Sequence, residues 1–261
     1  MSGAALPGSL AGKRGLVLGI ANQHSIAAGC AGAFAQAGAK LAVTYLNEKA
    51  RPFVSVVAEH LPCEIFMPCD VQAPGQLEAV FEEIGKSWGG LDFVLHSIAF
   101  APAKDLHGRI VDSSAEGFAA AMDVSCHSFL RAAKLAEPLM PAGGTLLAVT
   151  YMGAERVVPH YGLMGPVKAA LESAVRYAAG ELGPKAIRVN AISPGPIATR
   201  AASGIEHFSD LLENAARVVP EGRLVTIEDC GAVAAFLVSD GARMVTGSVI
   251  AIDGGEHLFG A

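Results

Sequence analysis

Short apolar runs alternate with stretches of helical periodicity about six times along this chain. The apolar runs are predicted strands, and they lie at Arg14–Ile20, Leu41–Tyr45, Ile65–Met67, Leu91–Ser97, Thr145–Thr150, Ile187–Ile192 and Val249–Ile252. The helical patterns lie at Ile26–Ala37, Glu48–His60, Leu77–Trp88, Ser114 to about Met140, Ala169–Leu182 and Asp229–Val238. Continuous apolar runs are typical of strands buried on both faces, and helical crossovers make such strands parallel. The sequence therefore predicts an α/β fold, a doubly wound, Rossmann-like parallel sheet of about seven strands with helices on both faces.

This alternation continues without a linker, a shift in composition or an internal repeat, which predicts a single domain over residues 1–261. Within that domain, the segment at about 198–219 is alanine-rich and only weakly periodic. The segment is either a mobile lid over a substrate or a surface helix.

Composition and charge exclude several classes of protein. Hydrophobic residues are 52% of the chain and charged residues 17%, which is typical of a globular protein and not of a disordered one. A net charge of −6 without a basic cluster argues against a nucleic acid partner. The sequence has no apolar run of about 18 residues and no signal-peptide pattern, so we expect no membrane span and no export. Five cysteines without a CxxC pair predict reduced thiols in a cytoplasm, with neither a disulfide frame nor a metal site.

Candidate chemistry lies in the loops after the strands, because parallel sheets bind ligands at the carboxyl ends of their strands. The first loop does not match GxGxxG, since only Gly19 is in place. It nevertheless leads into a helix whose N-terminus can hold a diphosphate, and Ser25 can both cap that helix and bond a phosphate oxygen. A purely structural loop with a serine cap fits the sequence equally well.

Later loops add features of a dinucleotide site. Residues 44–47 carry neither the acid typical of an NAD site nor the arginine typical of an NADP site, and the missing basic residue favours NADH. Asp70 and Val71 can contact an adenine, although Asp70 can equally cap a helix. The rigid turn that ends at Ile197 can present its amides to a nicotinamide, or it has only a structural role.

Tyr161 and Lys168, seven residues apart, are candidates for acid–base chemistry. On a straight helix this spacing places both side chains on roughly one face, about 10 Å apart along the axis. A lysine ammonium favours an ionised tyrosine, and such a pair can stabilise negative charge on a substrate oxygen. The alternative is a packed tyrosine near a surface lysine.

Taken together, these pieces resemble the short-chain dehydrogenase/reductase superfamily, and within it the enoyl-acyl-carrier-protein reductases of bacterial fatty acid synthesis. The resemblance covers nearly the whole chain and rests on GKRGLVLGIANQHSIA, CDV, HSIAFAP, YMGAERVVPHYGLMGPVKAALE, IRVNAISPGPIAT, AASGIEHF, VTIED and DGG. Ordinary members of the superfamily use Tyr-x3-Lys with an upstream serine. Here glycine stands four residues after Tyr161, Lys168 stands seven after it, and Thr150-Tyr151 precede them, as in the enoyl reductases.

The resemblance implies hydride transfer from NADH to the β-carbon of a trans-2-enoyl thioester, with another enoyl or a carbonyl substrate as the alternative. It implies that Tyr161 bonds the thioester carbonyl, that Lys168 holds the nicotinamide ribose, and that Tyr151 is the third catalytic residue. The implied cofactor contacts are Gly19, Ser25, Ile26, Asp70, Val71, Ile98, Lys168 and Ile197. The implied acyl pocket consists of Ala101, Tyr151, Tyr161, Met164, Ile205 and Phe208. It further implies a homotetramer in the cytoplasm and an acyl carrier protein as the carrier of the substrate.

The chain also departs from the family's pattern. Leu46 stands where glutamine is frequent and Ala99 where glycine is frequent, which affects a ribose contact and the width of the nicotinamide pocket. Pro166 is tolerated only in the first turn of a helix, so the helix that carries Lys168 is predicted to begin near Leu163.

The charge around the predicted lid is the last departure. Between residues 200 and 217 two arginines stand against three acidic residues, a balance of −1. Acyl carrier proteins are acidic, so this balance predicts that a carrier docks on arginines elsewhere, or that a coenzyme A thioester or another enoyl compound is the substrate.

Overall fold

A seven-stranded parallel sheet organises the chain in the computed structural model, which describes residues 8–199 and 208–259. The strands are β1 Arg14–Leu18, β2 Lys40–Tyr45, β3 Cys63–Pro68, β4 Phe93–His96, β5 Gly144–Val149, β6 Ile187–Pro194 and β7 Val249–Ile252. The helices are α1 Ile26–Gln36, α2 Arg51–Ala58, α3 Gln76–Trp88, α4 Ala103–Leu106, α5 Ala115–Met122, α6 Ser128–Ala136, α7 Met164–Leu182, α8 Phe208–Val218 and α9 Ile227–Val238. The strand order is β3-β2-β1-β4-β5-β6-β7 and all pairings are parallel, so the predicted doubly wound sheet is confirmed.

Successive side chains of the strands enter two separate cores, because neighbouring residues of a strand point to opposite faces. In β1, Leu16 and Leu18 pack on the face covered by α3, α6 and α7, whereas Val17 packs on the face covered by α1 and α9. On the second face Phe34 of α1 meets Phe93 of β4 edge to face, with ring centroids 4.8 Å apart. Truncation of such a buried phenylalanine costs about 3–5 kcal/mol. Both layers of helices are therefore fixed to the sheet by large apolar side chains.

The strand order reverses beside β1, which pairs with β2 on one side and β4 on the other. The loops after β1 and β4 diverge at this point and open the crevice in which such sheets bind ligands. The first strand ends at Leu18 and does not extend to Ile20 as predicted, since Gly19 has a φ of 104°. The carbonyl of Ser97, after β4, lies where a side chain on Gly19 would be. A residue with a Cβ would therefore meet both backbone strain and a steric clash here.

The region from Ser114 to Met140, predicted as one helical stretch, consists of α5, a π-helical turn at Asp123–His127, α6 and a short 3₁₀ turn. Inside the π turn the Ser125 hydroxyl donates to the carbonyl of Phe100 (3.1 Å) and accepts from its N–H (2.9 Å). These bonds tie the turn to the loop after β4. π turns, which widen a helix locally, are frequent at functional sites.

Helix α7 begins at Met164 with Leu163 as its N-cap, so the predicted start near Leu163 is confirmed. Pro166 lies in the first turn, where its missing N–H leaves no hydrogen bond unmade. Tyr161 precedes the helix between His160 and Gly162, which have φ angles of 61° and 45°. The tyrosine is therefore held on a tight turn, and the distance expected from a straight helix does not apply.

All five cysteines are free, and four of them, Cys30, Cys69, Cys126 and Cys230, are buried. Cys63 is half-buried at the start of β3. Burial raises the pKa of each of the five thiols above its ordinary value.

None of the helices in the described part of the chain is long and apolar enough to cross a membrane.

Candidate active site

A cavity of about 730 Å³ opens along the carboxyl edge of the sheet and receives residues from the loops after β1 to β6. The predicted site residues that line it are Gly19, Ile26, Asp70, Val71, Ile98, Ala101, Tyr151, Tyr161, Met164, Lys168 and Ile197. Ile205 lies outside the described residues, and Phe208 begins α8 without a described side chain. The described part of the predicted lid contains α8. The mobility of the lid stays a prediction.

Tyr151 and Tyr161 form the apolar centre of the cavity. Their ring centroids lie 4.9 Å apart at an angle of 64°, an edge-to-face contact. Gly153 permits this arrangement, because a Cβ there would lie 2.5 Å from Cδ1 of Tyr161. Burial raises the pKa of both phenols, and a charged Glu256 raises that of Tyr151 further. Both tyrosines are therefore neutral donors at pH 7, so the expectation that a lysine favours an ionised Tyr161 is wrong, since burial dominates.

Lys168 is 5% exposed and projects from the second turn of α7 into the cavity. Its Nζ donates a hydrogen bond to the carbonyl of Val149, at the end of β5, over 2.7 Å. Burial lowers the pKa of Lys168 to about 8, while Cys126 and Glu172 oppose this shift. The side chain is consequently still mainly an ammonium at neutral pH, with two N–H donors left for a ligand. The alternative of a surface lysine is wrong.

Glu172, one turn after Lys168 on α7, was not predicted from the sequence. It is buried, and its Oε1 accepts a hydrogen bond of 2.7 Å from the hydroxyl of Thr150. Burial raises the pKa of Glu172 and the Thr150 bond opposes that shift. Its spacing of four residues from Lys168 on one helix was a signal that could have identified it. Because the Thr150 hydroxyl is engaged by Glu172, it does not act as the serine of ordinary short-chain dehydrogenases.

Ser25 occupies the N-cap position of α1, but its hydroxyl makes no cap bond. Instead its oxygen accepts from the N–H groups of Ala21 and Asn22, each at 3.0 Å, and donates to the carbonyl of Asn22 at 2.7 Å. The predicted side-chain cap is therefore wrong, because the hydroxyl closes the loop that precedes the helix. Ser25 thus holds the loop that contains Ala21, a residue of the cavity wall. A direct contact of Ser25 with a phosphate stays a prediction.

After β2 the first arginine is Arg51, and it contacts neighbouring side chains. Arg51 lies over the ring of Tyr45, 5.7 Å from its centroid, and its guanidinium is 3.3 Å from the carboxylate of Glu48. The Tyr45 hydroxyl donates to the other oxygen of Glu48 over 3.0 Å. Leu46 faces the cavity beside this group. The arginine that follows the strand is thus neutralised, an arrangement that favours a ribose without a 2′-phosphate.

An extended dinucleotide fits this cavity. The lining loops follow β3, β2, β1, β4, β5 and β6 in spatial order, so the cavity spans five strand spacings, about 24 Å. Asp70 and Val71 mark the β3 end, and Lys168 and Ile197 the β5–β6 end. Gly19 between them has no side chain to block a diphosphate. The residues present therefore fit a nicotinamide dinucleotide.

Comparison with known proteins identifies similar chains over nearly the full length. The family model described as "Enoyl-(Acyl carrier protein) reductase" matches residues 19–257. The chain is 43% identical to the enoyl-[acyl-carrier-protein] reductase [NADH] FabI of Aquifex aeolicus over 254 residues, covering 97% of this chain and 94% of the relative. It is 46% identical to the Escherichia coli enzyme of the same description over 252 residues, covering 96% of each chain.

Solved structures show the same likeness. The crystal structure of the Aquifex aeolicus enoyl-[acyl-carrier-protein] reductase (NADH) superposes with a TM-score of 0.93, covering 97% of this chain and 99% of that one. A reductase from Anaplasma phagocytophilum in complex with NAD superposes with a TM-score of 0.93 at 44% identity, covering 97% of this chain and 96% of that one.

Proposed function

This chain belongs to the enoyl-(acyl carrier protein) reductase family, and from that premise we propose which of its residues carry the reaction. It is an NADH-dependent enoyl-acyl-carrier-protein reductase of fatty acid synthesis. In this reaction the bound nicotinamide supplies a hydride to the β-carbon of a trans-2-enoyl thioester. We assign the protein's contribution to Tyr151, Tyr161 and Lys168.

The observation that carries this assignment is that the buried, neutral Tyr161 and the buried Lys168 line one cavity, where the hydroxyl of Thr150 is already bonded to Glu172. As the hydride arrives, negative charge develops on the thioester oxygen, and Tyr161 donates a hydrogen bond to that oxygen. A low-dielectric site strengthens such a bond and favours a donor that is already oriented. The α-carbon then takes a proton to complete the reduction.

Lys168 binds and orients the cofactor. One of its three N–H groups is committed to the carbonyl of Val149, which fixes the ammonium at the end of β5. The two remaining donors would hold the hydroxyls of the nicotinamide ribose when the cofactor is bound. Tyr151 packs against the ring of Tyr161, limits its rotation and contributes a wall of the acyl pocket.

The test is the oxidation of NADH, followed by absorbance, with a crotonyl thioester and with a panel of ketones. We expect turnover of the thioester, and Tyr161→Phe should lower kcat by roughly 10²–10³, the usual loss for one oxyanion donor. Tyr151→Phe, which keeps the ring contact, should cost less. An unchanged kcat in Tyr161→Phe together with an inactive Tyr151→Phe would reverse the two roles.

We propose that the acyl carrier protein docks beside α4 and not on α8. Ala103 and Leu106 of α4 line the cavity, and between them Lys104 has a side chain that is 71% exposed. Arg109 follows with a side chain that is 77% exposed, so two cations stand at this rim. Each cation has an acidic neighbour, Asp105 at 4.0 Å from Lys104 and Asp112 at 3.7 Å from Arg109, so this surface is formally neutral. On α8, Asp210 and Glu213 stand against Arg217 alone, a formal balance of −1. An acidic carrier is therefore repelled less by the first surface than by α8.

This docking surface predicts a specific salt dependence. Lys104→Glu and Arg109→Glu should lower kcat/KM for enoyl chains on acyl carrier protein, and high salt should reduce the difference. The same chains on coenzyme A should be affected much less. Lys86→Glu is the control, because Lys86 lies in the last turn of α3, near the amino edge of the sheet. Equal effects on both carriers would refute the surface.

We also propose a homotetramer. Ala178 and Ala179 of α7 are buried in the chain's own core, so these small residues do not form the interface. Support comes from large apolar side chains exposed on adjacent helices: Tyr177 on α7, Phe118 on α5 and Leu130 on α6. Such side chains are typical of interfaces between subunits. A monomer in light scattering at micromolar concentration would contradict the proposal.

The five free thiols support a reducing compartment, the cytoplasm.

A further inference from the structure

Two side chains of α7, one turn apart, bond successive residues at the end of β5. The ammonium of Lys168 donates to the carbonyl of Val149 over 2.7 Å. The carboxyl group of Glu172 accepts from the hydroxyl of Thr150, the next residue of the chain, also over 2.7 Å. Both side chains belong to buried residues, which are 5% and 4% exposed. Helix α7 therefore holds the end of the strand at two adjacent points.

The sheet itself supports this end of β5 mainly from one side. On the β4 side the pairing ends at Ala148, which lies opposite His96. On the β6 side the N–H of Thr150 still donates to the carbonyl of Ile192 over 2.8 Å. Thr150 is thus anchored by a backbone bond to β6 and by a side-chain bond to α7.

The part of α7 that carries Glu172 is firmly packed. Leu171 and Val175 are fully buried in the core on the α7 face of the sheet. A carboxyl group in such surroundings is unfavourable unless it is hydrogen-bonded, so the bond from Thr150 offsets part of the cost of burying Glu172. The carboxyl group is consequently an acceptor at a fixed place relative to the sheet.

Thr150 lies between two residues that matter for the site. Before it, the carbonyl of Val149 fixes the ammonium of Lys168. After it, Tyr151 continues in extended conformation, with φ −156° and ψ 151°, and its ring packs on Tyr161 at 4.9 Å. A displacement of the Thr150 backbone would therefore move the ring that packs on the proposed oxyanion donor.

We propose that Glu172 is a positioning residue of the reductase, which acts through Thr150 to hold Tyr151, and with it the ring of Tyr161, in place for the reaction. This inference rests on the proposed roles of the two tyrosines. A misplacement of 1 Å at a reacting group costs roughly a hundredfold in rate, and the backbone bond to β6 limits the displacement here. We therefore expect the loss of the Thr150–Glu172 bond to lower kcat about tenfold.

The experiment is a double-mutant cycle on kcat with NADH and a crotonyl thioester, at pH 7 and well below the melting temperature of each variant. Thr150→Val and Glu172→Leu each remove one end of the bond, and each should lower kcat about tenfold. The double variant should also lose about tenfold, because its second substitution removes no further bond. A loss of about a hundredfold in the double variant would show that the two side chains act independently, and would overturn the proposal.

Conservative variants separate a positioning role from a merely structural one. Glu172→Gln keeps an acceptor oxygen and Thr150→Ser keeps a hydroxyl, so each should recover most of the lost rate. A merely structural bond would lower the stability of Glu172→Leu but leave the kcat of the folded protein unchanged, which would overturn the proposal. A Glu172→Gln protein as slow as Glu172→Leu would also overturn it, since the charge and not the bond would then matter.

Three further measurements complete the test. Kd for NADH, measured by fluorescence, should change little in Thr150→Val, because Lys168 keeps its own bond to Val149. Glu181→Leu, at an exposed position in the last turn of α7, is the matched control and should leave kcat and Kd unchanged. If Glu172→Leu does not fold, Thr150→Val and Thr150→Ser test the same bond, and equal kcat values in these two would overturn the proposal. Turnover by the wild type tests the proposed function separately, and Tyr161→Phe tests the role of the donor.

Discussion

Gly153→Ala tests whether the position of the Tyr161 ring controls the rate. The added methyl carbon would lie 2.5 Å from Cδ1 and 2.7 Å from Cε1 of Tyr161. Ordinary contact begins near 3.4 Å, so the ring must move by 3.4 − 2.5, about 0.9 Å. A misplacement of about 1 Å costs roughly 10²-fold in rate, which corresponds to about 2.7 kcal/mol in the activation barrier. Overpacking should also lower the free energy of unfolding by about 1–3 kcal/mol.

The assay measures kcat with a crotonyl thioester, Kd for NADH by fluorescence, and stability by urea unfolding. We expect kcat to fall about a hundredfold while Kd changes little, because Lys168 is held by Val149 and not by the tyrosine ring. Gly180→Ala on α7 is the control, since nothing lies within 4 Å of its added carbon. It should leave kcat unchanged and raise stability by about 1 kcal/mol.

A folded Gly153→Ala protein with kcat within about twofold of the wild type would refute this reasoning. It would mean that the ring contact between the tyrosines does not set the position of the donor. A loss of NADH affinity equal to the loss of kcat would also count against it, because the effect would then have spread beyond the acyl side of the cavity.

Single contacts give three further predictions. Lys168→Ala should raise the Kd for NADH, measured by fluorescence, about tenfold or more, because a charged hydrogen bond is lost. Lys185→Ala is the control: Lys185 is exposed, and its loss should leave this Kd unchanged. Thr150→Val should lower the free energy of unfolding at pH 7 by about 1–3 kcal/mol. Because the Thr150 bond favours an ionised Glu172, this loss should shrink as pH falls, and an equal loss at pH 4 would contradict it. Burial raises the pKa of Glu256 from 4.5 to about 7 in the folded protein. The wild type should therefore lose stability relative to Glu256→Gln as pH rises from about 4.5 to 7. A difference in Tm that stays constant over this range would contradict the prediction.

The sequence predicted most of the features that depend on local pattern. Apolar runs located the seven strands, and Pro166 fixed the start of α7 because proline has few permitted positions in a helix. The catalytic pair was found by resemblance, since Tyr161 and Lys168 are too common as residues to be distinguished by spacing alone. The π turn at 123–127 escaped prediction because the phase shift of about 100° that one extra residue causes is hard to recognise after the alanine-rich helix α5.

The direction of individual side chains could not be predicted in the same way. Ser25 has the identity and position of a helix cap, yet its hydroxyl bonds the loop before the helix. The pKa of Tyr161 depends on how many atoms surround it, and burial reversed the direction expected from the neighbouring lysine. The bond of Glu172 to Thr150 and the position of Glu256 against Gly195 became visible only in the folded structure. Each of these depends on contacts between distant parts of the chain.

The buried thiols give the folded enzyme a built-in reporter of its own fluctuations. Cys126 belongs to the core on the α7 face of the sheet, and Cys230 to the core on the α1 face. A buried thiol with a raised pKa cannot react with an alkylating reagent until the structure around it opens. The labelling rates of these two cysteines therefore measure how often each face of the sheet opens, without any engineered probe. Comparing the rates with and without NADH would show which half of the protein the cofactor restrains.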